Sequence, residues 1–118
     1  MLAMSIQFLK QSELPASNFS RELVGADFGG IPACVIFVDA EPGRGPSLHQ
    51  HPYAELFFVL EGEGTFSDGE TERVVGPGEV VIVPPETPHA FVNNGSGRLR
   101  QIDVHLSESF QMDRLDTR

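Results

Sequence analysis

The sequence predicts an all-β domain, a sandwich or closed barrel of short strands. Three observations carry that prediction. Segments rich in Val, Ile and Phe recur at a spacing of roughly ten residues, the signature of such folds. Twelve Gly and nine Pro in 118 residues supply a turn between almost every pair of them. No strand-like segment alternates with a long helical pattern, which argues against an open α/β sheet.

In chain order the segments are IQFL at 6–9, FSRELV at 19–24, ACVIFV at 33–38, ELFFVL at 55–60 and GTFSD at 64–68. ERVV at 72–75, EVVIVP at 79–84, HAFVN at 89–93 and LRQIDVHL at 99–106 follow. Between them stand Pro42-Gly43, Gly45-Pro46, Asp68-Gly69, Gly76-Pro77-Gly78, Pro84-Pro85 and Asn94-Gly95, of which Asp68-Gly69 and Asn94-Gly95 are hairpin signals. Only the tail SESFQMDRLD carries a helical expectation, a short helix with Ser107 as its N-cap. Residues 1–118 are read as one domain, since this length buries one real core and falls short of two.

Composition narrows the function classes. Seventeen acidic against eight basic residues give a net charge of −9 with no Lys/Arg cluster, so a phosphate backbone would be repelled and nucleic-acid binding is not expected. The longest wholly apolar stretch, Ala33 to Val38, is far short of the roughly 20 residues of a membrane helix. The N-terminal MLAMSIQFLK lacks the pattern of a secretory signal, and a cytoplasmic location is expected. Cys34 is the single cysteine and lies in an apolar run, where a buried inert thiol is expected rather than a nucleophile.

Chemistry concentrates in GRGPSLHQHPYAELFFVLEG, residues 43–62. On a strand, residues two apart share a face and lie about 7 Å apart, so His49 and His51 project together. Glu55 has the same parity, and Phe57 and Val59 continue its inward face. His89 follows a second apolar strand and a proline-rich turn, so it reaches the same place from elsewhere in a closed sheet. Neutral imidazoles with one carboxylate suit a divalent transition metal (Fe, Mn, Ni, Zn or Cu), not an all-oxygen Ca or Mg site. Four protein ligands on a six-coordinate metal leave two positions for a substrate or oxygen. No nucleophile elbow, phosphate-binding loop or Cys-His pair competes.

The stretch Gly43-x5-His49-x-His51-x3-Glu55-x6-Gly62 resembles the first conserved motif of the cupin superfamily at every defined position. Gly78-x5-Pro84-x-Glu86-x2-His89-x3-Asn93 resembles the second, with fifteen residues between Gly62 and Gly78. The resemblance implies a single cupin barrel, a jelly-roll-like double-stranded β-helix, with His49, His51, Glu55 and His89 as metal ligands. It also implies a homodimer, because members of the family commonly pair by sharing strands. One position departs: Glu86 stands where the family usually has glycine. Glu86 is expected to take a different turn, pointing its carboxylate near the pocket mouth or simply into solvent.

Other residues are weighed against this frame. Phe57, Val59 and Phe91 either line an apolar pocket around the metal or form ordinary barrel core. Tyr53 either hydrogen-bonds a ligand or caps the strand entry, and it is a catalytic candidate with Glu55, which serves as ligand or shuttling base. In QIDVHL the aliphatic face of Ile102, Val104 and Leu106 is expected to point into the core. That sets His105 outward or in a subunit contact, with a proton-transfer role inside the pocket as the other reading. A phenylalanine- and valine-lined pocket favours an oxygenase on a small apolar or aromatic substrate. The alternatives are a non-redox isomerase using the metal to polarise a carbonyl, or a small-molecule binding or sensing protein without turnover. Only Arg44 lies near the motif, which argues against a phosphosugar substrate.

Overall fold

A computed structural model describes residues 5 to 115. The strands are β1 (Ala16–Ser17), β2 (Ser20–Val24), β3 (Cys34–Ala40), β4 (His49–Gln50), β5 (Glu55–Glu61), β6 (Gly64–Ser67), β7 (Glu72–Val75), β8 (Val80–Val83), β9 (Ala90–Val92), β10 (Leu99–His105) and β11 (Asp113–Arg114). One sheet runs β1-β2-β3-β10-β5-β8, a second runs β7-β6-β9, and β4 pairs with β11. Every pairing is antiparallel. This is the all-β double-stranded β-helix that the sequence predicts.

The two main sheets enclose one core. Val38 and Ala40 of β3, Phe57 and Val59 of β5, Phe66, Val75, Val83, Phe91 and Leu99 form it. Phe57 meets Phe66 edge-on at 5.1 Å between centroids, and Phe66 stacks on Phe91 at 5.4 Å, so aromatic contacts join the sheets. Burying a ring such as Phe57 is worth roughly 1.5 to 3 kcal/mol.

Two motif positions explain themselves through the backbone. Gly62 sits at φ 80°, and a Cβ there would lie 2.1 Å from the Arg98 carbonyl oxygen, so only glycine fits between β5 and the start of β10. Asn93 is buried and donates from Nδ2 to the carbonyls of Ala40 (2.9 Å) and Gly97 (2.8 Å), tying the corner after β9.

Several expectations are corrected. IQFL at 6–9 forms no strand; Ile6 and Phe8 are exposed. The tail forms no helix over its described residues, and its last residue, Asp116, lies outside them. Instead Asp113 and Arg114 pair with Gln50 and His49, and a strand pairing satisfies backbone groups that a short exposed helix would leave to water. Asp68-Gly69 does turn the β6–β7 hairpin, with Asp68 Oδ1 accepting from the backbone N–H groups of Glu70 and Thr71. Asn94-Gly95 links β9 to β10, which belong to different sheets, so it turns a corner between sheets and not a hairpin. Glu86 takes φ 58° itself, keeping the turn that glycine would make, and its exposed carboxylate accepts from Gln50 Nε2 at 3.3 Å.

Candidate metal centre

Strand pairing places most of the four sequence-predicted ligands. His49 lies on β4 and bridges to His89, with backbone N–H···O distances of 3.1 and 2.9 Å in the two directions. His51 follows β4, and Glu55 opens β5 opposite Val83 and His105. All four are buried, and one ligand atom from each lies within 4.8 Å of the others.

The hydrogen bonds fix which nitrogen faces inward. Nδ1 of His49 donates to the Ser47 carbonyl (2.7 Å), that of His51 to Tyr53 (2.8 Å) and that of His89 to Thr87 (2.8 Å). A carbonyl oxygen only accepts, so Nδ1 carries the proton and Nε2 carries the lone pair of each neutral ring. Nε2 of His51 and of His89 lie 2.9 and 3.2 Å from the same oxygen, Glu55 Oε1. Lone pairs facing a carboxylate repel unless a proton or cation lies among them. The donor set therefore fits a divalent transition metal held by three Nε2 atoms and the Glu55 carboxylate, with the carbonyl-anchored Nδ1 support typical of metal-binding imidazoles.

Electrostatics agree with a site built for positive charge. Burial pushes the Glu55 carboxyl up, but His105, His51 and His89 outweigh it and hold it well below the usual carboxylate range. Burial pulls His51 down, and its contacts with Glu55 and the Tyr53 carbonyl more than reverse this. His49 is lowered, by burial first.

Around this cluster the structure departs from the sequence reading. His105 points inward: its Nε2 lies 3.0 Å from Glu55 Oε2 and its Nδ1 2.7 Å from the Tyr53 hydroxyl. The carboxylate only accepts, so Nε2 donates to it and Nδ1 accepts from Tyr53. The expected outward placement of His105 is thus overturned, because Leu99, Gln101, Asp103 and His105 form the buried face of β10. Tyr53 stacks on His51 with ring centroids 4.2 Å apart and also accepts from the Gln111 backbone N–H at 3.2 Å. It stands behind His105 and does not line the cavity.

That cavity, of about 610 Å³, opens beside the cluster and is walled by Phe19, Ile36, Val38, Phe57 and Phe91. His49, Glu55, His89 and His105 face it, whereas Val59 packs in the core away from it. Arg44 lies over the Phe19 ring at 6.0 Å and is not part of the wall. Sequence reasoning missed Asp103 and the tail residues Phe110, Gln111, Met112 and Arg114, which also line it. The tail carries no motif; the β4–β11 pairing, the Gln111 backbone bond to Tyr53 and the Phe110 ring against His105 bring it there. Burial, and then the Glu55 charge, push the Asp103 carboxyl well above the usual range, against the Gln101 amide that donates to it at 2.8 Å.

Among the described residues no helix is long and apolar enough to cross a membrane. Comparison with known proteins agrees with the geometry. Residues 36–105 match the family described as the cupin domain. Sixty-one residues are 39% identical to the dimethylsulfoniopropionate lyase DddQ of Ruegeria pomeroyi, covering 51% of this chain and 29% of the lyase. The chain thus spans under a third of that relative's length. By structure it is similar to the polyketide cyclase RemF of Streptomyces resistomycificus (TM-score 0.78, 20% identity, 97% of this chain and 88% of that one). It is also similar to the Bacillus subtilis oxalate decarboxylase, a protein with Mn(II) centres (TM-score 0.72, 20% identity, 88% of this chain and 30% of that one). The match over most of the strands, with both motifs inside it, makes this chain a member of the cupin domain family.

Proposed function

We propose that the protein is a metal-dependent enzyme of non-redox, acid–base type acting on a small organic substrate. It holds one divalent transition metal on His49, His51, Glu55 and His89. The carrying observation is that His105 faces the cavity with its two ring nitrogens on Glu55 Oε2 and the Tyr53 hydroxyl. A bound metal supplies Lewis acidity, polarising a carbonyl or carboxylate oxygen of the substrate. His105 lies beside that position with both nitrogens bonded inside the protein, so it passes a proton from Nε2 to Glu55 Oε2 as Nδ1 takes one from the Tyr53 hydroxyl, and it reaches the substrate through Glu55. Tyr53 acts through others: it holds the His105 tautomer and stacks on His51. The apolar wall admits the substrate's hydrocarbon part and excludes water. The sequence relative named as a lyase supports chemistry of this class.

The test is proton exchange. Zn(II)- or Mn(II)-loaded protein in D2O should speed α-proton exchange of a 2-oxo acid such as pyruvate, followed by NMR. A His105→Phe variant should keep its metal and lose about a hundredfold or more of that rate. Exchange that is unchanged in His105→Phe would refute the assignment.

The second reading is an oxygenase, favoured by the phenylalanine-rich wall. Oxygen consumption by Fe(II)-loaded protein with aromatic substrates, undiminished in His105→Phe, would select it.

A second copy of the chain pairs on the outer face of the large sheet. There Leu56, Phe58, Val80, Ile82, Ile102 and Val104 form a continuous apolar stripe, in register across β8, β5 and β10. Ile82 is 68% exposed in the single chain. An apolar patch of this kind, unbroken by charge, marks an interaction surface.

A further inference from the structure

Asp103 is a buried acidic side chain on the cavity wall, set in one cross-strand row with the apolar Ile36 and Phe57 and, beyond Ile36, with the half-buried Glu22 of β2. In register it stands between Ile36 of β3 and Phe57 of β5, both of which line the cavity with it. It is 2% exposed, and its one hydrogen bond among the described residues comes from Gln101 Nε2. A carboxyl offers about four acceptor sites, so most of its capacity is unused. Its partner is also incomplete: Gln101 is buried, and its Oε1 has no partner among the described residues. Leaving a buried polar pair half satisfied is costly, and an aliphatic pair would fill a barrel wall more stably. Asp103 lines the cavity and Gln101 does not, so a ligand bound there would complete the carboxyl.

Position gives the ligand's shape. Asp103 lies two residues from His105 on the same strand, a step of about 7 Å deeper into the barrel than the metal cluster. Phe57, Ile36, Val38 and Phe91 surround the space between. We propose that Asp103 is a specificity residue that hydrogen-bonds a hydroxyl, or a like polar group, on the far end of a substrate whose near end is an oxygen donor bound at the metal. The substrate class is then a small hydroxylated acid or carbonyl compound with an apolar, ring-sized middle. This rests on the reading of the cavity as a metal-adjacent substrate site. The raised affinity of Asp103 for its proton agrees with it, since a carboxyl that stays protonated can donate to a substrate oxygen as well as accept.

The probes are benzoate, 3-hydroxybenzoate and 4-hydroxybenzoate, titrated by calorimetry into Zn(II)-loaded protein and into Asp103→Leu. At least one hydroxybenzoate is expected to bind the parent about tenfold tighter than benzoate, the effect of one buried hydrogen bond. Asp103→Leu should bind benzoate as the parent does, lose the preference and melt no lower than the parent. If leucine does not fit the wall, Asp103→Ala makes the same comparison. A parent that treats the three acids alike, or a preference that survives in either variant, overturns the proposal. Preference retained by metal-free parent and lost in Asp103→Leu would uphold Asp103 while removing the metal from substrate binding.

Discussion

β5 and β10 are seven-residue neighbours in one sheet, antiparallel, and their inner faces border the same cavity. On β5 the inner face is Glu55, Phe57 and Val59, two apolar residues behind a candidate ligand. On β10 it is Leu99, Gln101, Asp103 and His105, three polar residues out of four. β5 behaves as a core strand with a buried candidate ligand at its mouth. β10 is polar along most of its inner face, with Asp103 and His105 lining the cavity, and carries Ile102 and Val104 on its other side. Alternation reveals that a strand has two faces; it does not say which one is inside when the sheet is apolar on both.

The contrast can be broken most forcefully on β5. Phe57→Ala should cost about 3 to 5 kcal/mol by denaturant unfolding, because the ring touches both Phe66 and Phe91 and leaves a cavity. A loss under 1 kcal/mol would mean that β5 is not the structural strand.

The outer face comes next. Phe58→Glu with Ile82→Glu should weaken self-association by about 2 kcal/mol or more, read by analytical ultracentrifugation, with metal content unchanged. A parent that is monomeric at micromolar concentration would remove the partner that explains the aliphatic face of β10.

Asp103→Asn sharpens the same comparison from within. The folded-state pKa of Asp103 is raised above its ordinary 3.8, so above that pH the unfolded chain releases a proton that the folded chain keeps. The parent therefore loses stability as pH rises from about 4 towards the raised value. Asp103→Asn should match the parent near pH 3 and exceed it in stability at neutral pH. A constant difference across pH would show that the carboxyl is not so perturbed.

The smallest effect lies outside both strands. Glu86→Gly should stabilise by about 0.5 to 1 kcal/mol, since Glu86 holds a left-handed conformation that glycine adopts freely. A loss instead would give its contact with Gln50 a structural role.

Much of the molecule was legible for physical reasons. Between residues 19 and 105 the strands other than β4 announce themselves by β-branched and aromatic runs between turn residues. His49, His51 and Glu55 announce themselves by residue type and parity, and His89 by its place after a second apolar strand and turn, in the second motif. His105 was not legible, because Ile102, Val104 and Leu106 form the more apolar face and yet lie on the outside of the sheet. The tail was not legible either: SESFQMDRLD has helical spacing, and nothing local reveals the backbone of β4 that it pairs with. IQFL shows the converse, an apolar run with no strand beside it to pair with.

The most direct test of the account is the metal content of untagged protein by elemental analysis, for the parent, His51→Ala/His89→Ala and His105→Phe. The account predicts roughly one equivalent of a divalent transition metal in the parent and in His105→Phe, and almost none in the double variant. Metal retained without the two imidazoles, or no metal in the parent even after anaerobic loading, would contradict it.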